Sequence, residues 1–455
     1  MGFAIILILL VIGTVIFHFA SPWWFTEIAS NWGMIDTTVI ITFWVTGVVF
    51  IAVNLFMAWV ILKYNHHKGQ RAHYEPENKK LEIWLTAITT VGVAAMLAPG
   101  LFVWAKFVNV PEGADEVEVV GQQWHWSYRY PGADGQLGKT DVALMSVDNP
   151  FGMDPEDPAG QDDRLVYNPE LHLPMDRPVK LLLRSKDVLH DFAVAEFRVK
   201  MDLVPGMVTY MWLTPTREGR FVVLCEELCG IAHHTMRGAV VVESQEAFDA
   251  WLESQPTFAE LEARPAGDPV AGESQYAVCA SCHGAQGEGN VALNAPKLAG
   301  LDGWYIKDQI RSYQNGVRGS HEDDTYGQQM AAMAGTLPTE AAIDNVVAYI
   351  DTFPDTAPEP TVNGDVERGE GLYVTCASCH GKQGQGIWAM KAPRTAGMSD
   401  WYIERQLENF KAGIRGAHPS DYYGKQMGFM ARMLSGEGAI EDLVAYINTL
   451  PVPEE

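Results

Sequence analysis

Three long runs of apolar residues begin the chain, and runs of this length predict membrane-spanning helices. They cover residues 2–20, 39–62 and 83–104. About 20 apolar residues span a hydrocarbon core of roughly 30 Å, so each run is long enough to cross a bilayer. A cleaved signal peptide is the alternative interpretation of the first run. It lacks a basic segment before it and a clear small-residue cleavage site, which favours a retained helix.

The loops between these runs differ in charge. Five lysines and arginines lie at or after the end of the second run, at positions 63, 68, 71, 79 and 80, and none lies between the first and second runs. The positive-inside rule places the basic loop in the cytoplasm. Residues 1–108 are therefore predicted to form a membrane region, and everything after residue 105 is expected outside the cytoplasm.

The pattern then changes to the alternation of a β domain. Stretches such as "EVEVVGQQWHWSYRY" and "VKLLLRS" are typical of strands, and Pro and Gly separate them. They predict a β-sandwich or barrel over residues 109–245. The segment from about 132 to 170 is rich in Asp, Gly and Pro, and we expect a solvated surface insertion without chemistry there.

An internal repeat follows. Six pairs of identical residues stand 97 positions apart: Pro296 and Pro393, Trp304 and Trp401, Gly316 and Gly413, Met330 and Met427, Leu337 and Leu434, and Tyr349 and Tyr446. The repeat predicts two tandem, mostly helical domains over residues 269–354 and 363–455, with linkers at 246–268 and 355–362. Proline-rich joints near residues 256–272 and 354–364 predict tethered domains that are held close enough to need no tight docking.

Charge and cysteine content restrict the function. The formal net charge of −25 argues against nucleic acid as a partner and suits a basic protein donor. The six cysteines form three close pairs, and disulfides are the ordinary interpretation of such pairs outside the cytoplasm. The residues around each pair indicate metal and haem chemistry instead.

The first pair lies in "LCEELCGIAHHTM". Cys225, Cys229, His233 and Met236 combine thiolate, imidazole and thioether, a soft ligand set that suits copper. The same spacing fits one face of a helix, and a structural zinc site is a further alternative, although methionine is a poor zinc ligand. Strand-like flanks and Gly230 favour a loop between two strands. His190, at the end of another predicted strand, is a further candidate ligand.

The other two pairs lie in identical "CASCH" motifs. CxxCH is a haem c attachment site, in which both thiols form thioethers with the haem and the histidine is its proximal ligand. The motifs supply Cys279, Cys282 and His283, and then Cys376, Cys379 and His380. Because both matches lie within a repeat, an unrelated metal or redox CxxC site is disfavoured.

Each repeat also offers a methionine as the sixth haem ligand, either Met330 or Met333 and either Met427 or Met430. Core packing around the haem is the alternative role of these methionines. His321 and His418 are also in register, but they lie in polar loops and rank lower as ligands.

These motifs carry a family resemblance. "QWHWSYRYPG", "DVLHDF" and "CEELCGIAHHTM" resemble subunit II of haem–copper cytochrome c oxidases over residues 30–245, including two transmembrane helices and a cupredoxin domain. Both repeats resemble class I cytochromes c, whose last helix packs on the first. The whole chain is similar to caa-type oxidase subunits with a second haem domain added. In similar cytochromes the ligand methionine stands seven before the leucine of the last helix, which selects Met330 and Met427.

The resemblance implies a binuclear copper A centre. Cys225 and Cys229 would bridge the two coppers. His190 and Met236 would complete the coordination of one copper. His233 and the backbone carbonyl of Glu227 would complete that of the other.

Three further roles are implied in the same way. Trp124 would be the residue that receives electrons, the Glu227 carboxylate would bind a magnesium ion shared with subunit I, and Glu82 would lie near the mouth of a proton channel. Packing across strands is the alternative for the aromatic run that begins at Trp124, and an interfacial charge is the alternative for Glu82. The family usually has a proline shortly after this acid, where Thr89 stands here.

The implied function is that of subunit II of a terminal oxidase. Electrons would pass from a cytochrome c-type or other donor through two c haems and copper A to haem a of subunit I, for proton-coupled reduction of O2 to water. The expected partners are oxidase subunits I and III and membrane lipid, with the soluble domains on the periplasmic side of a bacterial inner membrane. A free membrane-anchored electron-transfer protein is the alternative. Nitrous oxide reductase needs clustered histidines that this chain lacks, and quinol oxidase subunit II lacks the copper cysteines.

Overall fold

The computed structural model describes residues 2–21, 25–64, 76–146, 149–264 and 266–453. In chain order these form three long apolar helices, a β-sandwich and two helical domains. This architecture confirms the predicted fold class. We call residues 109–245 the copper domain, after the site that the sequence predicts there, residues 269–354 domain 1 and residues 363–453 domain 2.

The apolar helices are α1 (Gly2–Ala20), α2 (Gly33–Lys63) and α3 (Lys79–Val108). All three are long and apolar enough to cross a membrane. α2 and α3 are longer than their apolar runs because backbone hydrogen bonding continues through the polar flanks. The side chain of Asn78 caps α3 by accepting from the Leu81 amide. Lys68 and Arg71 of the predicted cytoplasmic loop lie outside the described residues.

Among the described residues, the two sheets of the sandwich contain ten strands: β1 (Asp115–Gln122), β2 (His125–Tyr130), β3 (Arg164–Val166), β4 (Glu170–Pro174), β5 (Val179–Ser185), β6 (His190–Val194), β7 (Val199–Leu203), β8 (Val208–Leu213), β9 (Gly219–Cys225) and β10 (Arg237–Glu243). One sheet has the order β3-β2-β1-β5-β8 and the other β4-β10-β9-β6-β7. Side chains from both sheets, including Val119, Tyr128, Leu171 and Val223, share one buried core.

The sandwich is fixed to the membrane helices by aromatic contacts. The Trp32 indole, just before α2, donates to the Trp212 carbonyl on β8 at 2.9 Å, and the two rings meet edge to face. In turn the Trp212 indole donates to the Phe107 carbonyl near the end of α3 at 3.0 Å. Arg198 pairs with Asp36 of α2 at 2.6 Å. The copper domain is therefore held directly at the ends of two helices.

The segment after β2 is not the fully solvated insertion that its composition predicts. Phe151 and Met153 are completely buried and pack with Phe258. Arg129 of β2 is also buried and donates to Glu118 at 2.8 Å and to Asp163 at 2.6 Å. The expectation was wrong because two apolar side chains are enough to fold a polar segment onto the sheet.

Ten helices build the rest of the described chain: α4 (Gln245–Glu253), α5 (Phe258–Glu262), α6 (Pro269–His283), α7 (Gly303–Gln314), α8 (Thr325–Ala334), α9 (Glu340–Ile350), α10 (Val366–His380), α11 (Asp400–Ala412), α12 (Tyr422–Arg432) and α13 (Ala439–Ile447). In both domains the last helix packs on the first. A Cβ added at Gly272 would lie 2.0 Å from the Asn345 carbonyl, so only glycine allows this close packing.

The predicted linkers contain structure. α4 and α5 occupy most of residues 246–268, and Trp251 of α4 stacks on His172 with ring centroids 3.8 Å apart. In the second linker Asp355 pairs with the buried Lys297 of domain 1 at 2.6 Å and also with Arg394 of domain 2. The joints are thus packed against their neighbours, and the expectation of loosely tethered domains is wrong.

We predict that Arg129→Met destabilises the copper domain by about 3–5 kcal/mol, because it leaves the Asp163 carboxylate buried without a cation, whereas Glu118 still pairs with Arg184. Arg177→Met is the matched control, because the Arg177–Asp115 pair is largely exposed and such pairs contribute about 0–1 kcal/mol. Native-state hydrogen exchange of peptides from β1 and β2 in the full chain measures both effects. Equal losses of protection in the two variants would contradict the buried network.

Candidate metal and haem sites

The cysteine-rich stretch forms a loop between two strands, as predicted. β9 ends at Cys225 and β10 begins at Arg237, while Cys229, His233 and Met236 lie in the loop between them. β6 pairs with β9 so that Phe192 lies opposite Cys225. His190 is two residues before Phe192 and therefore on the same face of the strand, which brings it to the cysteines.

Five side chains that can bind a soft metal converge there. The Cys225 and Cys229 sulfurs are 3.7 Å apart. The Nδ1 atom of His190 is 3.9 Å from the Cys225 sulfur, and that of His233 is 3.3 Å from the Cys229 sulfur. The Met236 sulfur is 3.8 Å from that of Cys229. The Glu227 carbonyl oxygen is 3.2 Å from the Cys225 sulfur.

The chemistry of this donor set fits the copper centre that the sequence predicts. Both cysteines, His190 and Met236 are buried, so water does not compete for the site. The Cys225–Cys229 hydrogen bond, together with that from His190, outweighs burial and lowers the pKa of the Cys225 thiol. A thiolate is the metal-binding form of cysteine. Thiolate, imidazole and thioether ligands together select copper over zinc.

Asp187 supports His190 from the outside, and sequence reasoning gave it no role. Its carboxylate lies 2.8 Å from His190 Nε2, so Nδ1 is the nitrogen that faces the sulfurs. Burial opposes protonation of His190, but hydrogen bonds to Asp187 and Cys225 raise its pKa overall. Asp187 also accepts the Gln123 amide at 2.7 Å. An acid three residues before a ligand histidine is the sequence signal that points to such a support.

Trp124 lies directly against the loop between β9 and β10 that carries the predicted metal ligands, which we call the ligand loop. Its indole nitrogen donates to the Cys229 carbonyl at 3.1 Å, and the side chain of Gln123 donates to the same oxygen at 2.7 Å. Gly230 has a φ of +123°, and a Cβ there would lie 2.9 Å from the Trp124 ring. Glycine is therefore required both for the backbone conformation and for the close approach of the indole.

Both CxxCH motifs lie at the end of a first helix, α6 or α10. The Nδ1 atoms of His283 and His380 lie 2.8 Å and 2.7 Å from the carbonyl oxygens of Pro296 and Pro393. This contact orients each ring and leaves Nε2 as the ligand nitrogen. Burial lowers the pKa of both histidines, which favours the neutral, metal-binding form. The repeated prolines thus mark the carbonyls that hold the histidines.

A cavity of about 920 Å³ extends between domains 1 and 2. Cysteines and histidines of both motifs line it, together with Met330, Met333, Met427 and Met430. Met330 and Met427 pack against the cores of their own domains. Met333 is exposed, and Met430 packs against the core of the copper domain. His321 is half-buried in its loop and is not among the side chains that line this cavity, whereas its repeat equivalent His418 is.

Two arginines of the cavity wall were missed by sequence reasoning. Arg318 is 8% exposed and donates to Gln309, Gln406 and the Tyr402 hydroxyl, and its Nε has no partner. Arg415, its repeat equivalent, donates to Gln406, Gln309 and the Tyr305 hydroxyl. Within the described chain none of these bonds goes to a carboxylate. A buried guanidinium needs a counter-anion, and the carboxylates of a bound haem would supply that charge.

The two remaining predicted residues are the acids Glu227 and Glu82. Glu227 is half-buried in the ligand loop, where its backbone carbonyl rather than its carboxylate faces Cys225. Glu82 is exposed in the first turn of α3. The structure does not bring the two acids to one site.

Comparisons with known proteins match the copper domain and both helical domains. The family model described as cytochrome c oxidase subunit II, periplasmic domain, matches residues 116–245, and that described as cytochrome c matches residues 269–354 and 366–451. The alternative cytochrome c oxidase subunit 2 of Bradyrhizobium diazoefficiens is 60% identical over 266 residues, 58% of this chain and 96% of the relative.

The chain belongs to the cytochrome c oxidase subunit II family. Cytochrome c oxidase subunit 2 of Cereibacter sphaeroides is 31% identical over 225 residues, 46% of this chain and 74% of the relative. A crystal structure of the periplasmic domain of subunit II of cytochrome oxidase from Bradyrhizobium japonicum is 28% identical, with a TM-score of 0.23, and the match covers 32% of this chain and 96% of that one.

Membership makes the chain a component of a haem–copper oxidase with a membrane anchor and a periplasmic domain. The two kinds of domain imply copper A and haem c, which the donor sets described above fit. Oxidase subunits are its implied partners.

We predict that Asp187→Ala weakens copper binding by the full chain about 10–100-fold, because His190 loses the carboxylate that orients it. Glu156→Ala, in the exposed part of the insertion, is the matched control and should leave copper affinity unchanged. Competition with a copper chelator measures both. An Asp187→Ala variant that binds copper as tightly as the control would remove Asp187 from the site.

Proposed function

We propose that this chain is subunit II of a terminal oxidase and carries electrons from a donor through two covalent c haems to binuclear copper A, then to haem a of subunit I. Subunit I would reduce O2 to water and couple that reaction to proton pumping. The observation that carries the proposal is the pair of buried thiols 3.7 Å apart, surrounded by imidazole and thioether donors, beside two haem-attachment motifs.

The copper ligands are those that converge in the loop. Cys225 and Cys229 would bind both coppers. His190 and Met236 would complete one copper site, and His233 with the Glu227 carbonyl would complete the other. When bound, the centre supplies reversible one-electron chemistry in which two thiolates share the added charge between the metals. The chain contributes a dry site in which burial and the Asp187–His190 hydrogen bond fix the donors before the metal arrives.

Each haem is held by its own domain. Cys279, Cys282 and His283 bind the first haem, and Cys376, Cys379 and His380 bind the second. Met330 and Met427 are the sixth ligands, which their position against the core of their own domain supports. A His/Met ligand pair raises the potential of a c-type haem, which suits an electron donor to copper A. Arg318 and Arg415 neutralise haem carboxylates between the domains.

Trp124 connects the ligand loop to the surface through which electrons arrive. Its indole hydrogen bond to Cys229 ties the ring to a copper ligand, which supports the role that the family resemblance implies. The Glu227 carboxylate contributes to a magnesium site shared with subunit I, and Glu82 lies near a proton channel. Subunits I and III, membrane lipid and a cytochrome c-type or other respiratory donor complete the set of partners. The membrane is the bacterial inner membrane.

We predict that the purified full chain contains two coppers and two haem irons. Elemental analysis and haem staining of a denaturing gel measure the ratio, and copper in the mixed-valence form should give the electron paramagnetic resonance signal of one electron shared by two nuclei. The double variant Cys225→Ser, Cys229→Ser is the control and should lose copper but keep both haems. One copper per chain, or zinc in its place, would contradict the binuclear centre.

A second prediction concerns the sixth haem ligands. Met330→Ala and Met427→Ala should each lower the potential of one haem and abolish its Met–iron charge-transfer band, because iron loses the thioether that stabilises its ferrous form. Met333→Ala and Met430→Ala are the in-register controls and should keep both bands. Loss of the band in a control instead would reassign the ligand. Redox titration monitored by absorption measures all four variants.

A further inference from the structure

Domain 2 lies directly on the copper domain. The hydroxyl of Tyr423, on α12, is 3.1 Å from His125 Nδ1 on β2. On the same helix, Tyr422 donates to Glu170 at 3.0 Å and accepts from Arg220. In the opposite direction Gln122 donates to the Ala389 carbonyl, in the loop that follows the second CxxCH motif. These contacts involve residues of four strands, β1, β2, β4 and β9.

The centre of the contact is Trp124. The side chain of Gln426, on α12, donates to the Trp124 carbonyl, while the Trp124 indole donates to Cys229. Trp124 is only 4% exposed. Cys379 and Met430 of domain 2 pack against the buried cluster to which Trp124, Cys229 and Met236 belong. One haem-bearing cysteine of domain 2 therefore lies against the same cluster as the copper ligands.

The ligand loop itself is also part of this interface. Phe429 of α12 meets His234 edge to face, with ring centroids 5.6 Å apart. His234 is adjacent to the copper ligand His233 in the turn between β9 and β10. α12 therefore contacts both the tryptophan and the loop that holds the metal ligands.

The repeat reveals which positions are specific to this contact. Tyr422 and Phe429 correspond to Thr325 and Ala332 in domain 1, because the repeat is offset by 97 residues. Tyr423 corresponds to Tyr326, which is 44% exposed. The two domains share a fold and haem motif, but domain 2 has the large aromatic side chains where it meets the copper domain. This difference is expected if only one of the two domains docks there.

Domain 1 is joined to domain 2 at the shared cavity. Arg318 donates to the Tyr402 hydroxyl at 2.5 Å, and Arg415 donates to the Tyr305 hydroxyl at 3.1 Å, so each domain reaches into the other. Lys391 of domain 2 pairs with Asp308 of domain 1 at 3.4 Å. The haem motifs of both domains line one cavity.

We propose that domain 2 is the built-in electron donor of the copper domain and occupies the surface over Trp124, so that an external donor protein must reduce domain 1 first. Contacts within this chain place domain 2 over Trp124. The order domain 1, domain 2, copper domain rests on the function proposed above. Each step in that order transfers one electron. The donor domain is oxidised by one electron and the acceptor domain is reduced by one electron.

Photocrosslinking of the full chain in its assembled membrane complex tests the covering. A benzophenone amino acid placed at Tyr422 or Phe429 should crosslink to the copper domain, with mass spectrometry finding the products near residues 170 and 220 or near residue 234. The same amino acid at Thr325 or Ala332 is the matched control and should give no such product. Crosslinks from the domain 1 positions instead, or none from domain 2, would overturn the proposal.

Exchanging residues between the repeats tests the order of transfer. The double variant Tyr422→Thr, Phe429→Ala gives domain 2 the residues of domain 1. It should increase hydrogen exchange in the peptide around Trp124 and slow the arrival of electrons at copper at least tenfold, with haem potentials unchanged. Val374→Ala is the matched control, because Val374 is exposed and domain 1 has Ala277 there. An unchanged transfer rate in the double variant would overturn the order.

Failure of the docking proposal can be distinguished from failure of the proposed function. Absence of copper or haem from the purified chain would contradict that function. Crosslinking requires neither group and tests the docking by itself.

Discussion

Two thiols held 3.7 Å apart in a buried loop are the constraint around which the copper domain is built. Two β-strands fix the ends of that loop, and a third strand brings His190 to it. Gly230 allows the Trp124 indole to lie against the loop, and Asp187 connects His190 to the backbone beside Trp124. The same few contacts thus determine both the metal ligands and the surface that meets a donor.

The docking of domain 2 extends this arrangement across the molecule. Gln426 and Phe429 contact Trp124 and the ligand loop, while paired arginines and tyrosines connect domain 2 to domain 1. The contacts are polar and aromatic rather than broadly apolar, which is typical of surfaces between domains. Packed linkers and specific side-chain contacts, rather than high local concentration alone, hold the haem domains in place.

Residues whose chemistry is local in sequence were predictable. The ligand loop and both CxxCH motifs place their ligands within a few residues of each other, and the 97-residue repeat revealed two domains. Residues that act through tertiary contacts were not. Asp187 and Arg318 resemble ordinary surface charges until the fold buries their partners. The burial of Phe151 and Met153 likewise depends on Phe258, about a hundred residues later, which a composition-based expectation of a solvated insertion ignores.

In the proposed function, electrons travel within one chain from the haem domains to copper. The most direct measurement is time-resolved absorption after rapid one-electron reduction of the haems in the oxidised full chain, repeated over a wide range of protein concentration. Transfer within one chain requires haem reoxidation and copper reduction to proceed together at a rate independent of concentration. A rate that rises in proportion to concentration would show transfer between molecules and would contradict it.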